Sequence, residues 1–223
     1  MKALITLLLL TVSLCPALAS PMGEAADSER DLQSSPESEC GYDKGKMMAL
    51  DEERFDQDVT NGGGGWRAVA AKDGCELIAA DLLRDYRTAH ADQSGILSWH
   101  EGQLRANVGD YHQAIPLMEE SRKPATQDPA GWNPYVDATV AFLRKNQPAL
   151  MSARKQLAQV PPSPDMPPVR EGFIELPMGN GQTMKMRWPP NLDVVDGLIR
   201  CFDKPYSVAY ANDCRAPSPK DAP

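Results

Sequence analysis

The sequence is poor in the residues that build metal sites. It has three histidines in 223 residues, no Cys-x-x-Cys pair, and no histidine at ligand spacing from a cysteine. His100-Glu101 invites comparison with zinc proteases, but Leu104 stands where their helix carries its second histidine. We therefore predict no metal site, assign no catalytic residues and expect no cofactor.

The chain also lacks an excess of basic residues. Its 23 lysines and arginines are outnumbered by 31 aspartates and glutamates, which gives a formal net charge of -8. Nucleic acids and anionic membranes recruit proteins through basic surfaces. We therefore exclude nucleic acid as a partner.

No apolar run reaches the ~20 residues that a membrane-spanning helix needs. At the start of the chain, Lys2 precedes a shorter apolar run, and Ala17-Leu18-Ala19 follows with the small-x-small pattern of a cleavage site. This predicts a signal peptide cleaved after Ala19 and a periplasmic or secreted protein without membrane insertion. A lipid anchor on Cys15 is the alternative, but Leu14 stands where such sites have a small residue.

Four cysteines follow the predicted signal peptide: Cys40, Cys75, Cys201 and Cys214. An even number in an exported chain predicts two disulfides. Three pairings are possible, and the sequence alone does not choose between them. We favour Cys40–Cys75 and Cys201–Cys214, because each pair closes a short loop at one end of the chain.

Changes in composition divide the chain into segments. After the signal peptide (1–19), residues 20–38 are polar and predict a disordered tether. Residues 39–160 form a helical domain, and 161–170 form a proline-rich linker. Residues 171–214 are expected to form a β-hairpin and a disulfide-closed helix packed on the helical body, before a disordered tail (215–223).

Apolar residues in the helical domain recur at helical spacing, as Ile78, Leu82 and Tyr86 do. Asp110 is a predicted N-cap, Asn133-Pro134 a predicted helix start, and Pro148 the opening of the next helix. Short connections between these segments indicate antiparallel helical hairpins. The predicted fold class is therefore mainly α, with a small C-terminal β-hairpin plus a short helix.

The predicted β-hairpin has Asn180-Gly181 as its two-residue turn. In the register that this turn implies, Phe173 lies opposite Trp188 across the strands. Asn191 is the predicted N-cap of the short helix that follows.

Residues 95–128 resemble the tetratricopeptide repeat (TPR), a pair of antiparallel helices that meet at small residues. Gly102 and Ala114 match the two small positions, and Gly109-Asp110-Tyr111 match the turn between the helices. Residues 132–159 look like a degenerate second copy, and 75–90 like the second helix of a third. Pro116 within the second helix, and an aromatic residue one position late at Trp99, depart from the pattern.

The resemblance implies a concave surface lined by the first helix of each pair. Ile96, Trp99, Gln103 and Asn107 would then contact a protein or peptide partner, unless Trp99 belongs to the core between helices. The chain as a whole also looks like small exported proteins of Gram-negative bacteria.

We therefore predict an exported, non-enzymatic, TPR-like protein that binds a protein or peptide in the cell envelope. The alternative is an envelope hydrolase acting on glycan or peptide, with a site built from carboxylates or His100. One such arrangement would combine His100 with Ser98 and Asp110.

Overall fold

Helical hairpins account for most of the chain in the computed structural model, which describes residues 35–58, 64–91, 95–178 and 181–215. The predicted signal peptide lies outside these ranges, as do residues 20–34 of the predicted tether and 216–223 of the predicted tail. The helical body begins at Pro36, three residues before the predicted boundary at residue 39.

A series of helices is followed by two strands and three short helices, so the mainly α fold class with a small C-terminal β-hairpin is confirmed. A π-helical turn (Glu53–Gln57) and a 3₁₀ turn (Ala125–Gln127) interrupt the series. The α-helices are α1 Pro36–Glu39, α2 Lys44–Met48, α3 Gly65–Ala70, α4 Glu76–Ala89, α5 Gly95–Asn107, α6 Tyr111–Glu120, α7 Trp132–Leu143, α8 Gln147–Ala158, α9 Leu192–Arg200, α10 Tyr206–Ala209 and α11 Asn212–Arg215, and the strands are β1 Phe173–Pro177 and β2 Thr183–Arg187.

Helices α5 and α6 approach closely at a glycine. A Cβ added to Gly102 would lie 3.1 Å from the Ala114 carbonyl oxygen and 3.0 Å from Cγ of Met118. The turn between the helices uses Gly109 at φ +87°, a conformation that side chains disfavour. Asp110 then caps α6 by accepting from the Gln113 amide. The predicted small-residue contact and capped turn are confirmed.

The predicted start of α7 at Asn133 is wrong. The helix begins at Trp132, because the Asp128 carboxylate accepts hydrogen bonds from the amides of Trp132 (2.5 Å) and Asn133 (2.8 Å). The Asn133 side chain instead holds the backbone of Lys123, accepting from its amide and donating to its carbonyl. Asn146 does cap α8, where its side chain accepts from the Ala149 amide.

The β-hairpin is present, but its predicted register is wrong by one residue. Phe173 pairs with Arg187, not with Trp188. The amide of Met178 donates to the carbonyl of Gln182. Three residues therefore lie between the last bonded pair of the hairpin, instead of the predicted two. Gly181 adopts φ +78°, while Asn180 lies outside the described residues. The predicted Asn191 cap also makes no side-chain cap bond, although α9 begins directly after it.

Helix α5 contributes to two hydrophobic cores. Leu97 and Leu104 pack in the N-terminal core with residues of α3, α4 and the π-helical turn, among them Phe55 and Tyr86. Trp99 and Ala106 pack in a second core that continues through α6, α7 and α8. The second core also contains Val195, Leu198 and Tyr206 of the C-terminal helices. The C-terminal segment is therefore part of the helical body's core.

Two disulfides join the cysteines in the favoured pairing, Cys40–Cys75 and Cys201–Cys214. The first ties the residue after α1 to the start of α4, and the second ties the end of α9 to α11. Disulfides of this kind are typical of proteins that fold in an oxidising compartment. Within the described ranges, no helix has both the length and the apolarity that a membrane span requires.

The close contact at Gly102 predicts a large penalty for a branched side chain there. Gly102→Val should lower the free energy of unfolding by about 1–3 kcal/mol, because the added atoms overlap the backbone of α6. Ser152→Val, at an exposed position within α8, is the control and should cost less than about 0.5 kcal/mol. Urea denaturation measures both. If Gly102→Val lowered the free energy of unfolding as little as Ser152→Val does, α5 and α6 would not be in close contact at Gly102.

Candidate functional site

The structure places Trp99 in the core and not on an open groove. Its side chain is 2% exposed, and its ring centre lies 4.9 Å from those of both Trp132 and Tyr135. A partner cannot reach this ring in the described structure. The predicted contact role of Trp99 is therefore corrected to the alternative, a packing residue between helices.

The C-terminal segment explains why the expected concave surface is closed. The side chain of Gln103 donates to the hydroxyl of Tyr206 at 3.5 Å, and the Tyr206 amide donates to the Tyr111 hydroxyl at 3.1 Å. Tyr206 is buried, and burial raises the pKa of its phenol. Helix α10 thus lies against α5, where a partner was expected.

The remaining predicted contact residues do not share one surface. Asn107, at the far end of α5, donates to the carboxylate of Glu76 at 3.3 Å. Ile96, at the beginning of the same helix, is partly buried and lines an open cavity. Of the four residues selected from the TPR pattern, one lies in a core, two make internal hydrogen bonds and one lines a cavity.

His100 pairs with Asp56, an aspartate that no motif in the sequence marks. Nδ1 of His100 lies 2.6 Å from Oδ1 of Asp56, which also accepts from the Trp66 indole at 2.7 Å. The Asp56 carboxylate is fully buried. Burial raises its pKa, but hydrogen bonds from His100 and Trp66 and the nearby charge of Arg67 outweigh this and hold the pKa below its usual value.

This contact does not extend into the predicted Ser98–His100–Asp110 arrangement. Asp110 caps α6, and the Ser98 hydroxyl donates to Glu120 at 3.4 Å. A Ser–His–Asp triad requires the hydroxyl of its nucleophile to lie within hydrogen-bond reach of the imidazole. Within the described ranges, no hydroxyl or thiol is bonded to the His100 ring. The Asp56–His100 contact links α5 to the π-helical turn.

Glu101 is the centre of a buried ionic network. Its carboxylate accepts from Nε of Arg105 and from Nη1 of Arg87, each at 2.9 Å. Arg105 also pairs with Asp81 at 2.9 Å, and Arg87 with Glu120 at 3.0 Å. The network joins α4, α5 and α6. Burial lowers the pKa of Arg105, but its bonds to Glu101 and Asp81 outweigh this and raise it overall.

An open cavity of about 360 Å³ lies between the start of α5, the loop after α6 and the start of α7. Its walls are held in place by hydrogen bonds. The Trp132 indole donates to the Ser121 carbonyl at 2.9 Å, and Asn133 grips the backbone of Lys123. The residues that line the cavity are Gly95, Ile96, Ser121, Arg122, Lys123, Pro124, Gln127 and Trp132.

The cavity combines aromatic and cationic surfaces. Trp132 is partly exposed, and Nζ of Lys123 lies 5.4 Å from the centre of its ring. Arg122 is paired with Asp137, whereas no carboxylate of the described residues lies within ion-pairing distance of Lys123. The described lining holds two cations and no acidic residue. Such a surface favours an anionic ligand with an apolar part.

The function of this site must be inferred from its own chemistry. No protein-family model, no curated protein and no solved structure matches the chain. Ile96 is among the contact residues predicted from the sequence, whereas Trp132, Lys123 and Gln127 are not. In the sequence, Trp132 is marked only by its position directly before Asn133-Pro134, the predicted helix start.

The ionic network predicts that loss of Glu101 destabilises the fold. Glu101→Ala should lower the free energy of unfolding by about 3–5 kcal/mol, because it leaves the buried cation of Arg105 without its closest partner. Glu120→Ala removes an exposed carboxylate from the same network and should cost less than about 1 kcal/mol. Chemical denaturation measures both variants. A small effect of Glu101→Ala would contradict the assigned role.

The lowered pKa of Asp56 predicts a specific loss of stability in acid. Its folded-state pKa lies below the unfolded value of 3.8, so its contribution is fully present above pH ~4 and is lost as pH falls through the folded pKa. Asp56→Asn should therefore be less stable than the wild type by about 1.5–3 kcal/mol at pH 7.

The difference between Asp56→Asn and the wild type should shrink as the pH falls below 4. Denaturant titrations of both proteins between pH 2 and 7 give the free energy of unfolding of each at every pH. Subtracting one from the other removes the contributions of the other carboxylates, which the two proteins share. A difference that stays constant across this range would show that Asp56 is not a charged partner of His100.

Proposed function

We propose that the protein is an exported, non-enzymatic protein that binds a protein or peptide segment, and that its helical body is TPR-like. The observation that carries this proposal is the preformed cavity beside Trp132, where a partly exposed indole and a cation without an ion-pair partner among the described residues meet. Tryptophan is enriched among the residues that dominate binding energy at interfaces. The partner would therefore bind beside α5 instead of across its middle.

The TPR-like part of the proposal is supported by the α5–α6 hairpin. The contact of Gly102 with Ala114 and the Gly109-Asp110 turn provide the small-residue packing that the repeat requires. Helices α7 and α8 form a second hairpin with a capped turn at Asn146. Helix α9 packs its apolar face on this second hairpin, as expected of a terminal capping helix.

The exported part of the proposal is supported by the disulfides. Cys40–Cys75 and Cys201–Cys214 require an oxidising environment to persist. The predicted signal peptide (1–19) agrees with export to the periplasm or the exterior.

A photo-cross-linking amino acid placed at Gln127 tests the binding function. Gln127 is exposed and lines the cavity, whereas Lys155 is exposed on α8 and does not line it. In envelope extract of the source organism, position 127 should give a defined adduct that position 155 does not give. The adduct should decrease when unlabelled wild-type protein is added in excess.

Two results would contradict the proposal. Position 127 could give no adduct, or both positions could give the same mixture of adducts, as expected of non-specific contact. Thermal denaturation of both labelled proteins confirms that the probe leaves the fold intact.

A further inference from the structure

The charges and walls of the cavity beside Trp132 indicate the chemistry of its ligand. We propose that it binds a peptide segment in which an acidic side chain stands within two positions of a large apolar side chain. This inference rests on the proposed binding function and adds the class of partner to it.

The acidic part of the ligand follows from the charges of the cavity. The chain has a net charge of -8, yet the described lining contains Arg122 and Lys123 and no aspartate or glutamate. Arg122 is already paired with Asp137, and that ion pair is half exposed. Lys123 has no such partner among the described residues, so its ammonium group is the one that a ligand carboxylate would pair with. Among the described lining residues, a basic ligand would meet like charge and no carboxylate.

The apolar part of the ligand follows from the walls. Trp132 presents part of its indole to the cavity, and Ile96 provides an aliphatic surface from α5. The indole is fixed by its bond to the Ser121 carbonyl and by its edge contact with the buried Trp99 ring. A rigid aromatic wall lets an apolar side chain bind without a further cost in ordering the site. The volume of about 360 Å³ lies at the small end of ligand sites and suits one or two side chains.

The spacing of the two parts follows from the geometry of the cavity. Nζ of Lys123 lies 5.4 Å from the centre of the Trp132 ring. In an extended peptide, side chains two positions apart lie on the same face and are separated by about 6.6 Å. Adjacent residues in a turn come closer than this. A carboxylate at Lys123 and an apolar side chain at Trp132 are therefore one or two residues apart in the ligand.

A displayed library of random seven-residue peptides, selected on the full oxidised protein, tests this ligand class. Enriched peptides should carry aspartate or glutamate within two positions of Phe, Trp, Leu or Met. One enriched peptide is then synthesised with an amidated C-terminus, so that only its side chains supply a carboxylate. The same peptide with a free C-terminus and the acidic residue replaced by its amide tests the terminal carboxylate as the alternative source.

Tryptophan fluorescence gives a direct readout of binding. Trp66, Trp99 and Trp188 are each less than 8% exposed, so a bound peptide acts mainly on the signal of Trp132. Lys123→Glu should weaken binding of the amidated peptide at least tenfold, and added salt should weaken binding to the wild type. Lys155→Glu introduces the same charge change on α8, outside the cavity, and should change the affinity by less than twofold.

The outcomes separate this inference from the proposed function. One outcome is a peptide that binds and competes with cross-linking at Gln127, but lacks an acidic residue or binds equally well to Lys123→Glu. This outcome would overturn the ligand class and leave the binding function in place. No enriched peptide together with no adduct at Gln127 would overturn both. The backbone of Lys123, not its side chain, bonds to Asn133, so the variant should fold. If it does not, Lys123→Gln replaces it.

Discussion

Helix α5 must bury both of its faces, and the rest of the structure depends on this constraint. One face packs Leu97 and Leu104 against α4, and the other packs Trp99 and Ala106 toward α7. A helix between two cores has little room for polar residues, so each one needs a partner. His100 finds Asp56, and Glu101 finds Arg105 and Arg87. The two residues that look most like an active site in the sequence are therefore the ones that fasten α5 to its neighbours.

Local features of the fold could be predicted from the sequence, because they depend on residues close together in the chain. Helical periodicity, the Asp110 cap, the Gly102–Ala114 contact and the pairing of Cys201 with Cys214 all belong to this class. The misplaced start of α7 shows the limit of such reasoning. Asp128 is four residues from Trp132 and accepts a hydrogen bond from its amide, whereas the Asn133 side chain bonds to the backbone of Lys123.

The candidate site was harder to predict, because it depends on contacts between distant segments. Asp56 and His100 are 44 residues apart, and Tyr111 and Tyr206 are 95 residues apart. The closing of the expected concave surface by α10 could not be derived from the TPR pattern, which describes one hairpin at a time. The cavity beside Trp132 arises where the α6–α7 loop folds back on the start of α5, and that geometry has no periodic signal.

The double burial of α5 also restricts how the length of this protein can change. One residue inserted in α5 before Trp99 would turn all later side chains of the helix by about 100° relative to the residues before it. This would move Trp99 out of its contact with Tyr135 and Glu101 out of its contact with Arg87. The tip of the β-hairpin, where Met178 and Met184 are exposed, has no such constraint. Insertions and deletions should therefore be tolerated at the hairpin tip, while α5 keeps a fixed number of residues.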